Sequence, residues 1–477
     1  MKLLIIIGAF SLISAANALK LDETKLVHLL RDRSPQWKLV ESQELGALEA
    51  LSGFGENFET QLFGNYYYSK TDEKQFSQFA PVTSPVKNKS LGLSRATTYG
   101  LNWKLTGSQD QFSNSFVAQG TTTAVTASAS VDLYKDFLGR KTREQENLLL
   151  KNHIIASLKK EAELKMLETS LRKVYWALIA NELSLKITNE LLESSKKQVV
   201  EAQRRFKNNI ADEGEVARYK SQVAARQAQI ISLMYQQESL KKGLRDLIPD
   251  LADKDISLTT VNVDRAVQEV LQCTATIAQL KDAPLDFTPY DEIAKLYREQ
   301  LEHKQRVNNA HSGLDVSLIS EYKYTGKALG SSNSMDEFNN DPRNGYSIGI
   351  GVSIPLEGKK SKTEDVKKAV DERVFVAQAE QNAARVHSVH KQVVRSIQLL
   401  GEVMKNQEEN TKQLEISLKT SRKKFNQARL TVQQLVQEQD LYLQSNLDEI
   451  QTKLQVIYTL LDYFSIFTQT PCSINRI

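Results

Sequence analysis

Proline and glycine are scarce where an ordinary compact enzyme needs them. The chain has 477 residues and nine prolines, and residues 86–248 and 356–470 contain none. Between Gly139 and Gly243 the sole glycine is Gly214, and after Gly358 it is Gly401. Turns draw on these two residues, so such stretches exclude a loop-rich fold and permit very long helices. Charge of one sign is lacking as well. Lysine plus arginine number 62 against 58 acidic residues, interspersed, which removes the electrostatic footprint of a nucleic-acid binder. Past the N-terminus no run approaches 18 apolar residues, so no helix is expected to cross a bilayer. Only Cys273 and Cys472 are present, too far apart in sequence for a zinc or haem motif. A bridge between them and two unpaired buried thiols stand as equal alternatives.

Catalytic signatures are missing too: there is no G-x-S-x-G, P-loop, H-E-x-x-H or dinucleotide fingerprint. His387 and His390 could share a helical face, but His390 falls in an apolar row, where a packed histidine is the better reading than a metal ligand. We expect no enzyme, cofactor or metal site.

The N-terminus carries one lysine, an apolar run of about a dozen residues and Ala16-Asn17-Ala18. This is the pattern of a secretory signal peptide, residues 1–18, cleaved before Leu19.

Two strand-like regions alternate with two helical ones. Residues 57–134 are rich in aromatic and β-branched residues, including Tyr66, Tyr67 and Tyr68. In 313–355, Leu314, Val316, Leu318, Tyr322 and Tyr324, then Tyr346, Ile348, Ile350 and Val352, recur at period two, as in half-exposed strands. Segments 70–96 and 327–344 read as polar connecting loops. Apolar residues then recur every seven positions at Leu164, Leu171, Leu178, Leu185, Leu192, Val199 and Phe206. This predicts one helix over 140–207, roughly 100 Å long at ~1.5 Å per residue, with coiled-coil-like packing. A companion row turns polar at Asn181, Thr188 and Ser195, which predicts a helix with much of its surface wet.

The same series returns 219 residues later at Ala383, His390, Ile397, Met404, Thr411, Leu418 and Phe425. The chain is therefore an internal duplication. A first repeat (19–245) holds a helix, strands, the long helix and a return helix over 213–245. A joining segment (246–290), interrupted by prolines, is expected to be small irregular structure. The second repeat (291–470) has its long helix over 359–427 and return helix over 432–468, before a tail at 471–477. Asn209 suits a left-handed helix end, and Asp212 and Thr431 are candidate caps.

A signal peptide, tandem repeats of about 220 residues and strands leading into a very long helix, then a short turn and a return helix, resemble the TolC-type outer membrane efflux proteins. The resemblance covers the whole mature chain. It implies a mainly α fold with β-hairpins: a homotrimer sharing a 12-stranded β-barrel in outer membrane lipid, four strands from each chain, continued by a long α-helical periplasmic barrel. The implied function is a passive export duct for efflux or type I secretion, with a periplasmic adaptor and an inner-membrane transporter as partners and no nucleic acid. The competing class is a periplasmic coiled-coil scaffold without a pore. By the resemblance, Phe206, Asn209, Ile210, Phe425, Ala428 and Leu430 form hairpin tips that meet the adaptor. Glu215, Arg429, Gln434, Gln437 and Glu438 line the periplasmic entrance, with glutamines where the family's type member has aspartates. Tyrosines 66–68, 322, 324 and 346 could anchor at the membrane interface, or pack as ordinary strand residues.

Overall fold

The computed structural model describes residues 19–468 apart from 76, 78, 253, 281–284, 286–287, 310–313, 355, 357–358 and 428. The expected signal peptide lies outside the described residues. In chain order the elements are β1 (Leu19–Leu21), α1 (Glu23–Arg33), α2 (Pro35–Glu56), β2 (Gln61–Ser69), β3 (Val86–Ala96), β4 (Leu101–Phe112), β5 (Gly120–Asp132), α3 (Arg140–Lys207), α4 (Glu213–Leu247), β6 (Ile256–Leu258), α5 (Val263–Ala278), α6 (Pro289–Asn309), β7 (Asp315–Leu329), α7 (Ser331–Asn340), β8 (Arg343–Ser353), α8 (Lys359–Asn426) and α9 (Val432–Ile466). Helices α3 and α8 have 68 residues each. The chain divides into two compact units, and both long helices contribute to each.

The first unit is helical. Of the described residues it holds those within 19–42, 158–292 and 382–468. Its core gathers Leu26, Leu30, Leu171, Trp176, Leu178 and Leu244 with Val456, Ile457, Leu460 and Leu461 of α9, all nearly inaccessible. The polar row of α3 departs from expectation, since Asn181, Thr188 and Ser195 are buried. Thr188 Oγ1 donates to the Ser184 carbonyl at 2.8 Å, Ser195 Oγ to the Leu191 carbonyl at 3.0 Å, and Asn181 Nδ2 to the Leu233 carbonyl at 3.1 Å. Hydrogen bonds to backbone carbonyls let these small side chains enter the packed seam, at the cost of one unpaired atom, Asn181 Oδ1. His390 is buried beside the rings of Tyr463 and Phe467, at 6.0 and 6.1 Å, while His387 is exposed.

The joining segment is more regular than its prolines suggested. Strand β1 pairs in parallel with β6, and α5 buries Ala266, Val267, Val270, Cys273, Thr274 and Ile277. That spacing is one helical stripe, and Pro249 precedes the helix. Cys273 is disulfide-bonded; the only other cysteine, Cys472, lies outside the described residues.

The second unit, residues 43–157 and 293–381, is built on one antiparallel sheet in the order β2-β3-β4-β5-β7-β8. Six strands are two more than the resemblance implies for one chain. The 70–96 segment, read as a loop, contains β3, whose Lys87, Asn88, Lys89 and Ser90 hide its alternation. The 327–344 segment likewise holds the end of β7 and helix α7. That helix seats on Gly326, where a Cβ would lie 2.3 Å from the Phe338 nitrogen, and Ser334 Oγ lies 2.8 Å from Thr123 Oγ1.

At the passage from β5 into α3, Gly139 adopts φ +72°, and a Cβ there would stand 1.7 Å from the Thr98 carbonyl oxygen. Only glycine fits this corner.

Candidate functional site

Two parts of the molecule carry features beyond simple packing: the helical turns of the first unit and the sheet of the second.

The turns are built alike. Asn209 takes φ 55°, a conformation asparagine tolerates better than most residues. The Ile210 N–H donates to the Arg205 carbonyl at 2.9 Å, and at the second turn the Arg429 N–H donates to the Lys424 carbonyl at 2.8 Å. Both bonds are the six-residue closure that ends many helices, at positions related by the repeat. Ala428, the counterpart of Asn209, lies outside the described residues. Asp212 caps α4 by accepting from the Glu215 N–H at 2.7 Å. Thr431 caps α9 in a reciprocal box with Gln434, whose Oε1 accepts from the Thr431 N–H at 3.1 Å.

Equivalent residues are used differently in the two halves. Phe206, Asn209 and Ile210 are exposed. Phe425 is half-buried, edge-on to Tyr219 at 6.4 Å, with the Arg205 guanidinium 5.3 Å above its ring. Leu430 is also half-buried. Ala202, Val216, Tyr219 and Val432 form the small core beneath the turns. Burial pushes the Tyr219 phenol well above its ordinary range, with Glu215 adding to the rise and Arg205 opposing it.

The five entrance candidates do not share one environment. Glu215 is turned inward, where its Oε1 accepts from Arg205 Nη1 at 2.8 Å. Gln434 is occupied by the cap, and Glu438 Oε2 accepts from Ser417 Oγ at 2.8 Å. Gln437 and Arg429 are exposed. Sequence reasoning passed over the groups that tie the return helices together. Buried Gln222 on α4 donates from Nε2 to Gln439 Oε1 on α9 at 3.0 Å, and buried Arg226 is ion-paired with Asp440. Tyr219, Gln222 and Arg226 recur at helical spacing on one face of α4, the one signal that could have marked them.

The sheet has two chemically distinct faces, set by its register. Directly paired residues share a face. Leu62, Leu93, Leu105, Ala127, Tyr322 and Tyr346 lie in one row across all six strands, and Gly64, Leu91, Gly107, Val125 and Tyr324 extend the next across five. On the opposite face lie Asn65, Ser90, Ser94, Thr106, Ser108, Thr126, Ser128, Ser320's neighbour Glu321, Ser347 and Gly349. The apolar face is exposed, with Tyr346 at 81%, Ile348 at 72% and Leu62 at 70%. Among the described residues, no helix is long and apolar enough to cross a membrane.

Comparison with family models and with curated proteins finds no match. Comparison with solved structures finds several over nearly the full length. The outer membrane protein VceC from Vibrio cholerae aligns with a TM-score of 0.66 at 17% identity, covering 92% of this chain and 94% of that one. The CmeC outer membrane channel of Campylobacter jejuni aligns at 0.68 and 13%, covering 93% and 85%. The open-state MtrE outer membrane channel of Neisseria gonorrhoeae aligns at 0.66 and 12%, covering 93% and 88%. The chain shares its fold with these outer membrane proteins.

Proposed function

We propose that this chain is a passive export duct of the outer membrane, assembled as a homotrimer and working with a periplasmic adaptor and an inner-membrane transporter in efflux or type I secretion. The observation that carries the reading is the sheet, one face of which presents an exposed apolar row through all six strands while the other is mainly polar. An open sheet with such a face cannot rest in lipid, because its edge groups would lack hydrogen-bond partners; closure into a barrel removes the edges and places the polar face around water. The shared fold supports the same reading, and the structures it resembles are channel proteins rather than enzymes. A scaffold without a pore leaves the apolar face without a role.

In this reading the exposed Phe206, Asn209 and Ile210 form a tip available to the adaptor, while the second tip is steadied by the Phe425 packing. Gln437 and Arg429 face the entrance, and Glu215 acts from the wall by holding Arg205. Energy comes from the transporter.

The test is fractionation followed by planar-bilayer recording of the purified protein. Recovery in the outer membrane and discrete conductance steps are expected. Recovery solely in the soluble periplasmic fraction overturns the proposal.

A further inference from the structure

Resting on the trimeric outer membrane reading, we infer that the barrel is closed by β8 of one copy pairing with β2 of the next, so that three chains make an 18-stranded barrel. All six strands have the equipment to span lipid. They run 9, 11, 12, 13, 15 and 11 residues, and a transmembrane strand needs about 9–11. The row from Leu62 through Leu93, Leu105, Ala127 and Tyr322 to Tyr346 is apolar across all six strands, and the same face carries Gly64 and Tyr66 on the β2 edge and Ile348, Ile350 and Val352 on the β8 edge. Were two strands left outside the barrel, their apolar residues would have no lipid to meet.

The edges themselves fit each other. Strands β2 and β8 are the two ends of the sheet. With six alternating strands they run in opposite directions, so head-to-tail rotation of identical chains continues the antiparallel order. Sheets that must stay monomeric protect their edges with lysine or proline. Strand β2 has neither, and β8 carries no charge after Arg343.

The register follows from barrel geometry. Strands spaced about 4.8 Å apart and tilted about 35–45° shift by roughly one to one and a half residues per strand. Six strands therefore accumulate a stagger of about six to eight residues, and it must be even to keep the apolar face outside. The row from Leu62 to Tyr346 thus returns near Tyr68 or Lys70 of the next copy; the opposite shift would run off β2 altogether. A shift of about six places Tyr346 beside Tyr68 and Ile348 beside Tyr66, bringing tyrosines of both copies to one level, as in an aromatic girdle. On the water side, Asn65 then faces Gly349, or Gly351 at the larger shift. Barrel diameter grows roughly linearly with strand number, so the duct is about half as wide again as one of 12 strands.

Cysteine pairs test the junction. Asn65→Cys is combined with Gly349→Cys, where an added side chain meets nothing within 4 Å, or with Gly351→Cys. Ile348→Cys with Asn65→Cys serves as a control facing the other side of the sheet. After oxidation of outer membranes, one of the two Gly pairs is expected to give a covalent trimer in denaturing gels, released by reductant, with none from the control. An image of the trimer by electron microscopy should show 18 strands. A trimer in the outer membrane in which neither pair links, while cysteines at Thr106 on β4 and Gly349 do, overturns the inference and leaves the duct reading intact. Absence from the outer membrane overturns both.

Discussion

Replacing Glu23 by glutamine should change how the protein's stability depends on pH. Glu23 opens α1 and is buried near Glu168, Arg172 and Trp176. Its Oε1 stands 3.5 Å from Arg172 Nε, but the guanidinium is shared with Glu168, which takes it at 2.9 Å. Burial pushes the Glu23 carboxyl from an ordinary 4.5 up to about 7, against the pull of Arg172 and Trp176, and Glu168 repels it further. Glu168 goes the other way: burial opposes ionisation, but Lys165, Arg172 and Arg31 hold its carboxyl below the usual range. For Glu23 the folded value is raised, so the stability it supports is full below about 4.5 and is lost as pH rises through about 7. One unit is worth about 1.4 kcal/mol, so the loss between pH 5 and pH 8 is on the order of 2 kcal/mol. Glu23→Gln has no proton to lose. Chemical denaturation of the helical circular dichroism signal, run on both proteins across that range, should show the variant gaining on the parent by about this amount as pH rises. Two profiles that stay parallel would refute the reasoning, whatever their absolute separation.

Other outcomes follow from the turns and the sheet. Thr431→Ala removes the reciprocal cap of α9 and should cost about 1 kcal/mol, with faster proteolysis at the second turn as the readout. Asp440→Asn deprives buried Arg226 of its carboxylate; because Asp440 is half exposed, solvent screening limits the cost to about 1 kcal/mol. A cycle with Arg226→Met should recover that coupling in the midpoint of unfolding. On the sheet, Ile350→Arg should lower the yield of folded trimer in outer membranes, at about 2–4 kcal/mol for a cation on the lipid face, whereas Gly349→Ser on the other face should leave yield unchanged.

Strands were legible in proportion to how cleanly they alternate. In β8, tyrosine, isoleucine and valine alternate with serine and glycine, and the pattern is read directly. Strand β3 shares the same sheet, yet its apolar face is spelled Lys87, Lys89, Leu91, Leu93. The two lysines stand beside tyrosines, with Lys87 Nζ 6.0 Å from the centre of the Tyr68 ring. Such a cation on an aromatic ring is favourable, and its aliphatic stem can cover apolar surface. No window that scores lysine as a loop residue can see this, so alternation alone counts fewer strands in the first region than the sheet contains.

The helical turns show the same limit from the other side. The heptad rows located the long helices because leucine at period seven has one economical explanation. Which polar residues enter the seam depends on neighbours that are distant in the chain. Asn181 is buried because the Leu233 carbonyl lies within reach, 52 residues later, and Gln222 because Gln439 meets it 217 residues on. Each has an unpaired polar atom remaining, Asn181 Oδ1 and Gln222 Oε1, a cost an all-apolar seam would avoid. A polar pair that tolerates this cost distinguishes its register from shifted ones, since sliding α9 by one residue along α4 would break the amide bond and the Arg226–Asp440 pair together. The return helices are thus positioned by a few polar matches set in an apolar seam, and those matches cannot be recognised in either helix taken alone.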